Sequence, residues 1–242
     1  MISHSFYTFL ISLFILFSES SSKVAPDYIV PCPGLKSDCL KKNIQETIPL
    51  FVQGIPSLGI NSSDPLLRDK VNLDLPGGLK IEFYDGVLTG FKKCIVDSVK
   101  YENLQAELDL HCNLNLKGKY RATGKVLLFS INGDGDAKIK AHDTYMNCKI
   151  RFEDRVRDGI EYREIKDYKV NYRHGQKVSF VFTNLFKGNP ELSETVLNFL
   201  NENWKEILDE FGKPIIETII RITFNGIKKF FHQVPKSEIY IE

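Results

Sequence analysis

Between Leu104 and Leu128 every even-numbered position is apolar or small: Leu104, Ala106, Leu108, Leu110, Cys112, Leu114, Leu116, Gly118, Tyr120, Ala122, Gly124, Val126 and Leu128. The odd positions carry Glu107, Asp109, Lys117, Lys119, Arg121 and Lys125. Strict period-two alternation predicts extended chain with an apolar inner face and a charged outer one. The run exceeds one ordinary strand, so it reads as two consecutive antiparallel strands or as one long bent strand. Strand-like runs follow at 138–145, 148–152, 162–172 and 177–182, and precede it at 78–83, 87–91 and 95–101. Asp85-Gly86, Asn132-Gly133-Asp134-Gly135, Asp158-Gly159 and His174-Gly175 are the turn signals between them, which together predict an antiparallel meander.

The pattern changes period after Asn189. Asn189 can cap a helix, Pro190 sits where a missing N–H costs nothing, and Glu191 and Glu194 place negative charge near the positive helix end. From Leu192 through Val196, Leu200, Trp204, Ile207, Leu208 and Phe211 the apolar residues form one wide stripe. Gly212-Lys213-Pro214 predicts a kink. Beyond it Ile215, Ile216, Ile219, Ile220, Ile222, Phe224, Ile227, Phe230 and Phe231 no longer fit one face, which means an enclosed helix. Glu217, Arg221, Lys228 and Lys229 interrupt the run and argue against a membrane span. A short helix upstream is predicted where Ser37 can cap a segment with Leu40, Ile44 and Ile48.

Residues 1–22 read as a cleaved secretory signal, with an apolar core from Phe9 to Phe17 followed by Ser18, Ser20, Ser21 and Ser22. The mature part, 23–242, shows no linker-like stretch and no short repeat, so a single domain is expected. With 242 residues, 43% hydrophobic content and a formal net charge of +1, the chain can build one substantial core and has no electrostatic bias toward nucleic acid or anionic lipid. Cys32 and Cys39 flank a Pro-Gly turn, and a bridge between them is plausible chemistry for a secreted chain. Cys94, Cys112 and Cys148 are an odd set that leaves a further bridge open, and Cys112 lies on the inward side of the alternation, where it reads as a small buried residue. Asn61-Ser62-Ser63 is a glycosylation sequon.

Catalytic and metal chemistry have no footing in this pattern. His111, His142, His174 and His232 belong to no zinc-ligand spacing or nucleophile elbow, and the cysteine spacing fits no zinc finger or ribbon. Asn132 to Asp136 looks superficially like a calcium loop, but Ala137 stands where that loop needs glycine and Asp143 where it needs glutamate. The basic residues at 117–125 alternate with apolar ones, as on the wet face of a sheet. A curved antiparallel sheet closing on a long apolar helix must either fill its interior or leave a tunnel for a hydrophobic guest. The small inward residues Ala106, Gly118, Ala122 and Gly124 serve either outcome.

Several segments in order resemble the insect takeout and haemolymph juvenile-hormone-binding protein family: Cys32 to Cys39, 54–60 followed by Asp64-Pro65-Leu66, Gly118-Lys119-Tyr120, 124–127, Gly133-Asp134-Gly135, 201–205 and Val234-Pro235-Lys236-Ser237-Glu238. The resemblance covers nearly the whole mature chain. It implies an α+β fold in which a long C-terminal α-helix is wrapped by a highly curved antiparallel β-sheet enclosing a hydrophobic tunnel. It also implies a Cys32–Cys39 disulfide, an extracellular monomeric carrier of a small hydrophobic ligand, no catalytic residues, no cofactor and no metal. Feeding, circadian output, hormone transport and chemosensation are the processes it suggests. Hormone-binding members tie sheet to long helix with a second bridge; no cysteine follows Cys148 here, which favours the takeout branch. The expected ligand is a juvenile-hormone-like terpenoid or a fatty-acid-like lipid, and no partnership with nucleic acid or stable membrane insertion is expected. Candidate lining residues are the inward Leu108, Leu110, Leu116, Tyr120, Ala122, Val126 and Leu128, with Val196, Leu200, Trp204, Ile207 and Phe211 from the helix; Tyr120 could offer its hydroxyl to an ester or carboxylate. The first alternative is a secreted interaction or structural protein with a fully packed interior; the second, disfavoured by the lack of a nucleophile and base at meaningful spacing, is a secreted lipid-modifying enzyme.

Overall fold

The computed structural model describes residues 23–241; the expected secretory signal at 1–22 lies outside the described residues. In chain order the elements are β1 (Cys32–Pro33), α1 (Ser37–Phe51), β2 (Leu66–Leu75), β3 (Leu79–Thr89), β4 (Ile95–Glu102), β5 (Gln105–Val126), β6 (Phe129–Arg157), β7 (Ile160–Arg173), β8 (Lys177–Phe182), α2 (Pro190–Glu202), α3 (Trp204–Gln233) and β9 (Tyr240–Ile241). A long C-terminal helix, α3, lies against a large antiparallel sheet that is not a closed barrel, an α+β arrangement.

The spine of the sheet is the pair β5 and β6, 22 and 29 residues long, joined by a hairpin at Leu127-Leu128 and paired from Val126–Phe129 to Gln105–Arg151, beyond which β6 runs on past the start of β5. The free edge of β5 is shared by β4, which pairs with 105–111, and β3, which pairs with 115–123. The other edge of β6 is shared likewise, by β8 at 137–142 and β7 at 145–157. Alternation over Leu104 to Val126 is thus one long strand, with its even positions inward throughout. In β6 the inward parity changes: Ile131 and Ala137 are buried before Asp143, and Thr144, Cys148, Ile150 and Phe152 after it. Asp143 has φ +49°, and the register between the two strands shifts at this point, so one extra residue on β6 reverses which side chains face in.

Two turn signals prove to be something else. Asp85-Gly86 is a bulge inside β3, with Asp85 at φ +51° and a register shift from Tyr84 to Val87. Asn132 to Asp136 is continuous strand within β6. Its glycines are needed because the segment after β8 crosses there: a Cβ on Gly133 would lie 2.7 Å from Tyr120 Oη, and one on Gly135 would lie 2.4 Å from the Thr183 carbonyl. Phe83 covers Gly118 in the same way, a Cβ there standing 2.5 Å from its ring, so this small inward residue serves packing.

The helical region begins as expected, Asn189 Oδ1 accepting from Leu192 N–H at 3.0 Å with Pro190 as the first helical residue. The interruption comes at Asn203 (φ −105°, ψ 34°), and Pro214 is accommodated inside α3. Asn201 lies just before the break. Its side chain accepts from Phe180 N–H (2.8 Å) and donates to Phe180 C=O (2.9 Å), behaving as one more strand partner for β8 and fixing α2 against the sheet. In α1, Ser37 is the first helical residue and makes no cap hydrogen bond, and the helix runs through Pro49 to Phe51.

Disulfides close the periphery. Cys32–Cys39 pins β1 to α1, and Cys94–Cys112 ties the start of β4 to β5, leaving Cys148 free and buried. Gln45 fastens α1 to the same edge, donating to Cys94 C=O (3.0 Å) and accepting from Val96 N–H (2.8 Å). Finally β9 pairs in parallel with β1, and Glu238 accepts from Val24 and Ala25 N–H, so the two ends of the described chain meet.

Replacing Asn201 removes both Phe180 hydrogen bonds at once. Asn201→Ala is expected to cost roughly 2–4 kcal/mol of unfolding free energy, because two part-buried backbone groups lose their partners. Asn201→Asp, which keeps only the acceptor, falls between. Denaturant midpoints measure this, and an Asn201→Ala midpoint equal to wild type would refute the strand-mimic role.

Candidate functional site

Helix α3 does not fill the concave face of the sheet. Two part-open chambers lie beside it, of about 480 Å³ and 200 Å³. The larger is walled by Ala106, Leu108 and Leu110 of β5, Met146 and Ile150 of β6, Leu40, Ile44 and Ile48 of α1, and Ile216, Ile220 and Phe224 of α3. The smaller is walled by Leu73, Leu75 and Ile81 of the β2–β3 hairpin, Phe180 and Phe182 of β8, and residues from the distal half of β5 and the first half of α3. Leu88, Leu116, Ile139, Leu208, Gly212, Ile215 and Ile219 border both. The chambers therefore abut at a waist. Gly212 is its notable member: glycine within a helix costs about 1 kcal/mol relative to alanine, and a Cβ here would stand 3.2 Å from Leu208 Cδ2.

The lining is hydrocarbon almost throughout, and among the described residues no Asp, Glu, Lys or Arg borders the larger chamber. Its polar members are few. Thr223 Oγ1 donates to the Ile219 carbonyl of its own helix (3.0 Å). Thr144 Oγ1 is buried with no partner among the described residues. Burial lowers the pKa of His174, whose ring stands edge-on to Trp204 at 6.1 Å. Burial also pushes the Cys148 thiol up to about 12. At one end the wall is aromatic: Tyr101 of β4 and Tyr240 of β9, with ring centroids 6.2 Å apart, beside Phe152 of β6.

Behind that wall is a charged cluster. Arg163 of β7, only 7% exposed, donates from Nε and Nη2 to the two Asp154 oxygens (2.8 and 2.9 Å) and from Nη1 to Tyr101 Oη (2.6 Å). Lys236 bridges Asp154 (2.8 Å) and Glu161 (2.9 Å). The hydrogen bonds from Arg163 are the main cause that holds the Asp154 carboxyl down at about 2.

The candidate residues separate into groups. Leu108 and Leu110 border the larger chamber, Leu116 the waist, and Tyr120, Ala122, Val126, Leu200, Ile207 and Phe211 the smaller chamber. Val196 is fully buried in the adjoining core and Trp204 packs at its margin; neither borders a chamber. Leu128 is a correction: the alternation ends at Val126, and Leu128 sits in the hairpin turn, 94% exposed. The Tyr120 hydroxyl is also already engaged, donating to Thr183 C=O at 2.9 Å, and burial pushes its phenol up to about 12. Most of the larger chamber escaped the candidate set. Its β6 wall was hidden by the parity change at Asp143, whereas the recurrence of Leu40, Ile44 and Ile48 already marked the α1 wall. Asn61 is exposed, as a glycan acceptor must be, while Ser63 of its sequon borders the larger chamber. Among the described residues no group of His, Cys, Asp and Glu is arranged to hold a metal, and no helix is long and apolar enough to cross a membrane.

Comparison with known proteins gives a consistent result. The family model for haemolymph juvenile hormone binding protein matches residues 10–241. Two curated relatives, each described as circadian clock-controlled protein daywake, come from Drosophila melanogaster and Drosophila yakuba. They are 25% identical over 236 residues and 24% identical over 237, each alignment covering 91% of this chain and 90% of the relative. The crystal structure of Epiphyas postvittana Takeout 1 superposes with a TM-score of 0.82 at 35% identity, covering 88% of this chain and 99% of that one.

Two measurements probe the interior and its charged end. At pH 8 the native protein is expected to expose no thiol to a disulfide-exchange reagent and the denatured protein to expose one, Cys148; rapid labelling of native protein would contradict its enclosure. Asp154 has a folded pKa below its unfolded one, so its ion pair stabilises fully above about pH 4 and that contribution, at most ~2 kcal/mol, is lost as pH falls toward 2. The stability gap between wild type and Asp154→Asn should therefore narrow across pH 4 to 2, and a constant gap would dismiss the assignment.

Proposed function

The chain belongs to the haemolymph juvenile hormone binding protein family, and from that premise we propose that it is a secreted carrier of one elongated hydrophobic ligand, a terpenoid or a fatty-acid-like lipid. The observation that supports this reading most is the pair of adjoining hydrocarbon-lined chambers. The larger one, at about 480 Å³, falls in the ~300–1,000 Å³ range of small-molecule sites. A packed-interior protein has no use for voids of this size, since a cavity forfeits the packing of its lining atoms. The alternative of a filled, ligand-free interior therefore loses ground.

Binding works by transfer out of water. Covering about 300 Å² of apolar ligand surface yields roughly 7–8 kcal/mol gross at ~25 cal/mol per Å². Lost translational freedom and ordering remove several kcal/mol, which leaves micromolar to sub-micromolar affinity. Leu108, Leu110 and Leu116 act as walls for the main body of the ligand; Tyr120, Ala122, Val126, Leu200, Ile207 and Phe211 receive any chain long enough to pass the waist. Val196 and Trp204 support the helix that forms the wall. The disulfides Cys32–Cys39 and Cys94–Cys112 suit an oxidising extracellular fluid, and a glycan on Asn61 would stand clear of the sheet. The mode of action calls for no catalytic group, cofactor or nucleic-acid partner, and for one chain per ligand. Circadian control is carried in the name of the daywake relatives, and a clock-linked role for this chain is proposed on that likeness alone.

A ligand at one hundred times its dissociation constant adds ~2.7 kcal/mol of stability. For a chain of this size that raises the melting temperature by roughly 5–10 °C. Long-chain isoprenoids and fatty acyl lipids should produce such a shift, and organic extract of protein secreted by its native cells should yield a stoichiometric lipid; neither effect appearing would dismiss the carrier reading. Gly212→Phe, which fills the waist, should spare ten-carbon ligands and weaken eighteen-carbon ones at least tenfold. Equal weakening of both would mean that the two chambers are not used in series.

A further inference from the structure

At the aromatic end of the larger chamber a charged cluster adjoins the wall. Tyr101 and Tyr240 border the chamber there, and Arg163 stands directly behind them, its guanidinium carbon 4.3 Å from the Tyr240 ring centroid. Because Arg163 Nη1 donates to Tyr101 Oη at 2.6 Å, that oxygen serves as an acceptor and its own proton must point elsewhere. Among the described residues no acceptor pairs with the Tyr101 O–H. A hydroxyl that accepts from a cation is also polarised toward giving a stronger hydrogen bond of its own. Tyr101 thus carries a donor with no acceptor among the described residues at a wall otherwise of hydrocarbon, held in place by Arg163, and the Tyr240 hydroxyl beside it donates to no acceptor among the described residues either.

The charge behind it decides what the donor can take. Arg163 and Lys236 are matched by Asp154 and Glu161, with Asp154 gripped by both cations. This cluster is already neutral. A carboxylate drawn into the chamber would lose its hydration with no cation left to compensate it, whereas an ester or ketone oxygen needs only the one hydrogen bond.

We infer that Tyr101, held in place by Arg163, anchors a neutral carbonyl or ester oxygen at one end of the ligand, whose hydrocarbon chain then runs along the larger chamber toward the waist at Gly212. The assignment rests on the carrier function proposed above and specifies which class of lipid that carrier prefers. Tyr240 and Phe152 flank the head group, and Tyr101 sets the orientation.

The test uses the full secreted chain and three probes of equal chain length, methyl palmitate, palmitate and hexadecane, in competition with a fluorescent hydrophobic dye. Methyl palmitate is expected to bind about five- to tenfold more tightly than hexadecane, and more tightly than palmitate; Tyr101→Phe should weaken the ester about five- to tenfold more than it weakens hexadecane, so that the ester's advantage disappears. Unfolding curves of Tyr101→Phe confirm an intact protein, and should that variant not fold, the wild-type ranking decides alone. Hexadecane bound as tightly as the ester, palmitate bound more tightly than the ester, or a Tyr101→Phe loss equal for ester and alkane would each overturn the anchor while the carrier reading stands. Failure of all three probes to bind wild type would overturn both.

Discussion

The unbroken alternation of β5 and the matching, once-shifted alternation of β6 place an apolar surface on one side of a sheet far longer than any single helix can cover tightly. That mismatch governs the molecule. Covering the concave face with α2 and α3 removes it from bulk water, but a helix is a rod of nearly constant width, and the trough it lies in is made of strands of very different lengths. Where side chains bridge the gap, as with Tyr168 stacked on Phe224 at 4.0 Å or Phe152 set edge-on to Phe231 at 5.1 Å, the layers are glued. Where they do not, hydrocarbon-lined space remains.

The position of that space follows from the shared edges. Each long strand changes partner midway, β3 giving way to β4 beside β5 and β8 giving way to β7 beside β6. The two halves have separate buried clusters, one around Val196, Leu200 and Phe211, the other around Leu110, Ile150 and Phe224. The waist lies where they meet. Gly212, which borders both chambers, has no side chain to place at their junction.

Much of this could be read in the sequence, and the failures have identifiable causes. Inward faces were legible wherever one period persisted, as in β5 and in the first half of the helical region. They were obscured where one inserted residue reversed the parity, as at Asp143, because side-chain direction then changes with no change in composition. Glycine-aspartate runs misled in the opposite sense. Gly133 and Gly135 look like turn formers, yet their role is to admit a crossing segment, a tertiary fact that local sequence does not carry. Leu128 misled because a hairpin tip that continues the alternation by accident cannot be told from the strand it ends. The break at Asn203 was unforeseen, and the grip of Asn201 on Phe180 just before it joins residues that the local pattern does not connect. The resemblance supplied the Cys32–Cys39 pairing; the Cys94–Cys112 bridge needed the register of β4 on β5.

The union of β1 with β9 has a bearing on how the protein is made. The final pairing strand leaves the ribosome long after its partner, so throughout synthesis the trough lacks its last closure and the aromatic end stands without Tyr240. Because that pairing joins strands from opposite ends of the described chain, the aromatic end of the larger chamber is complete only when both are in place.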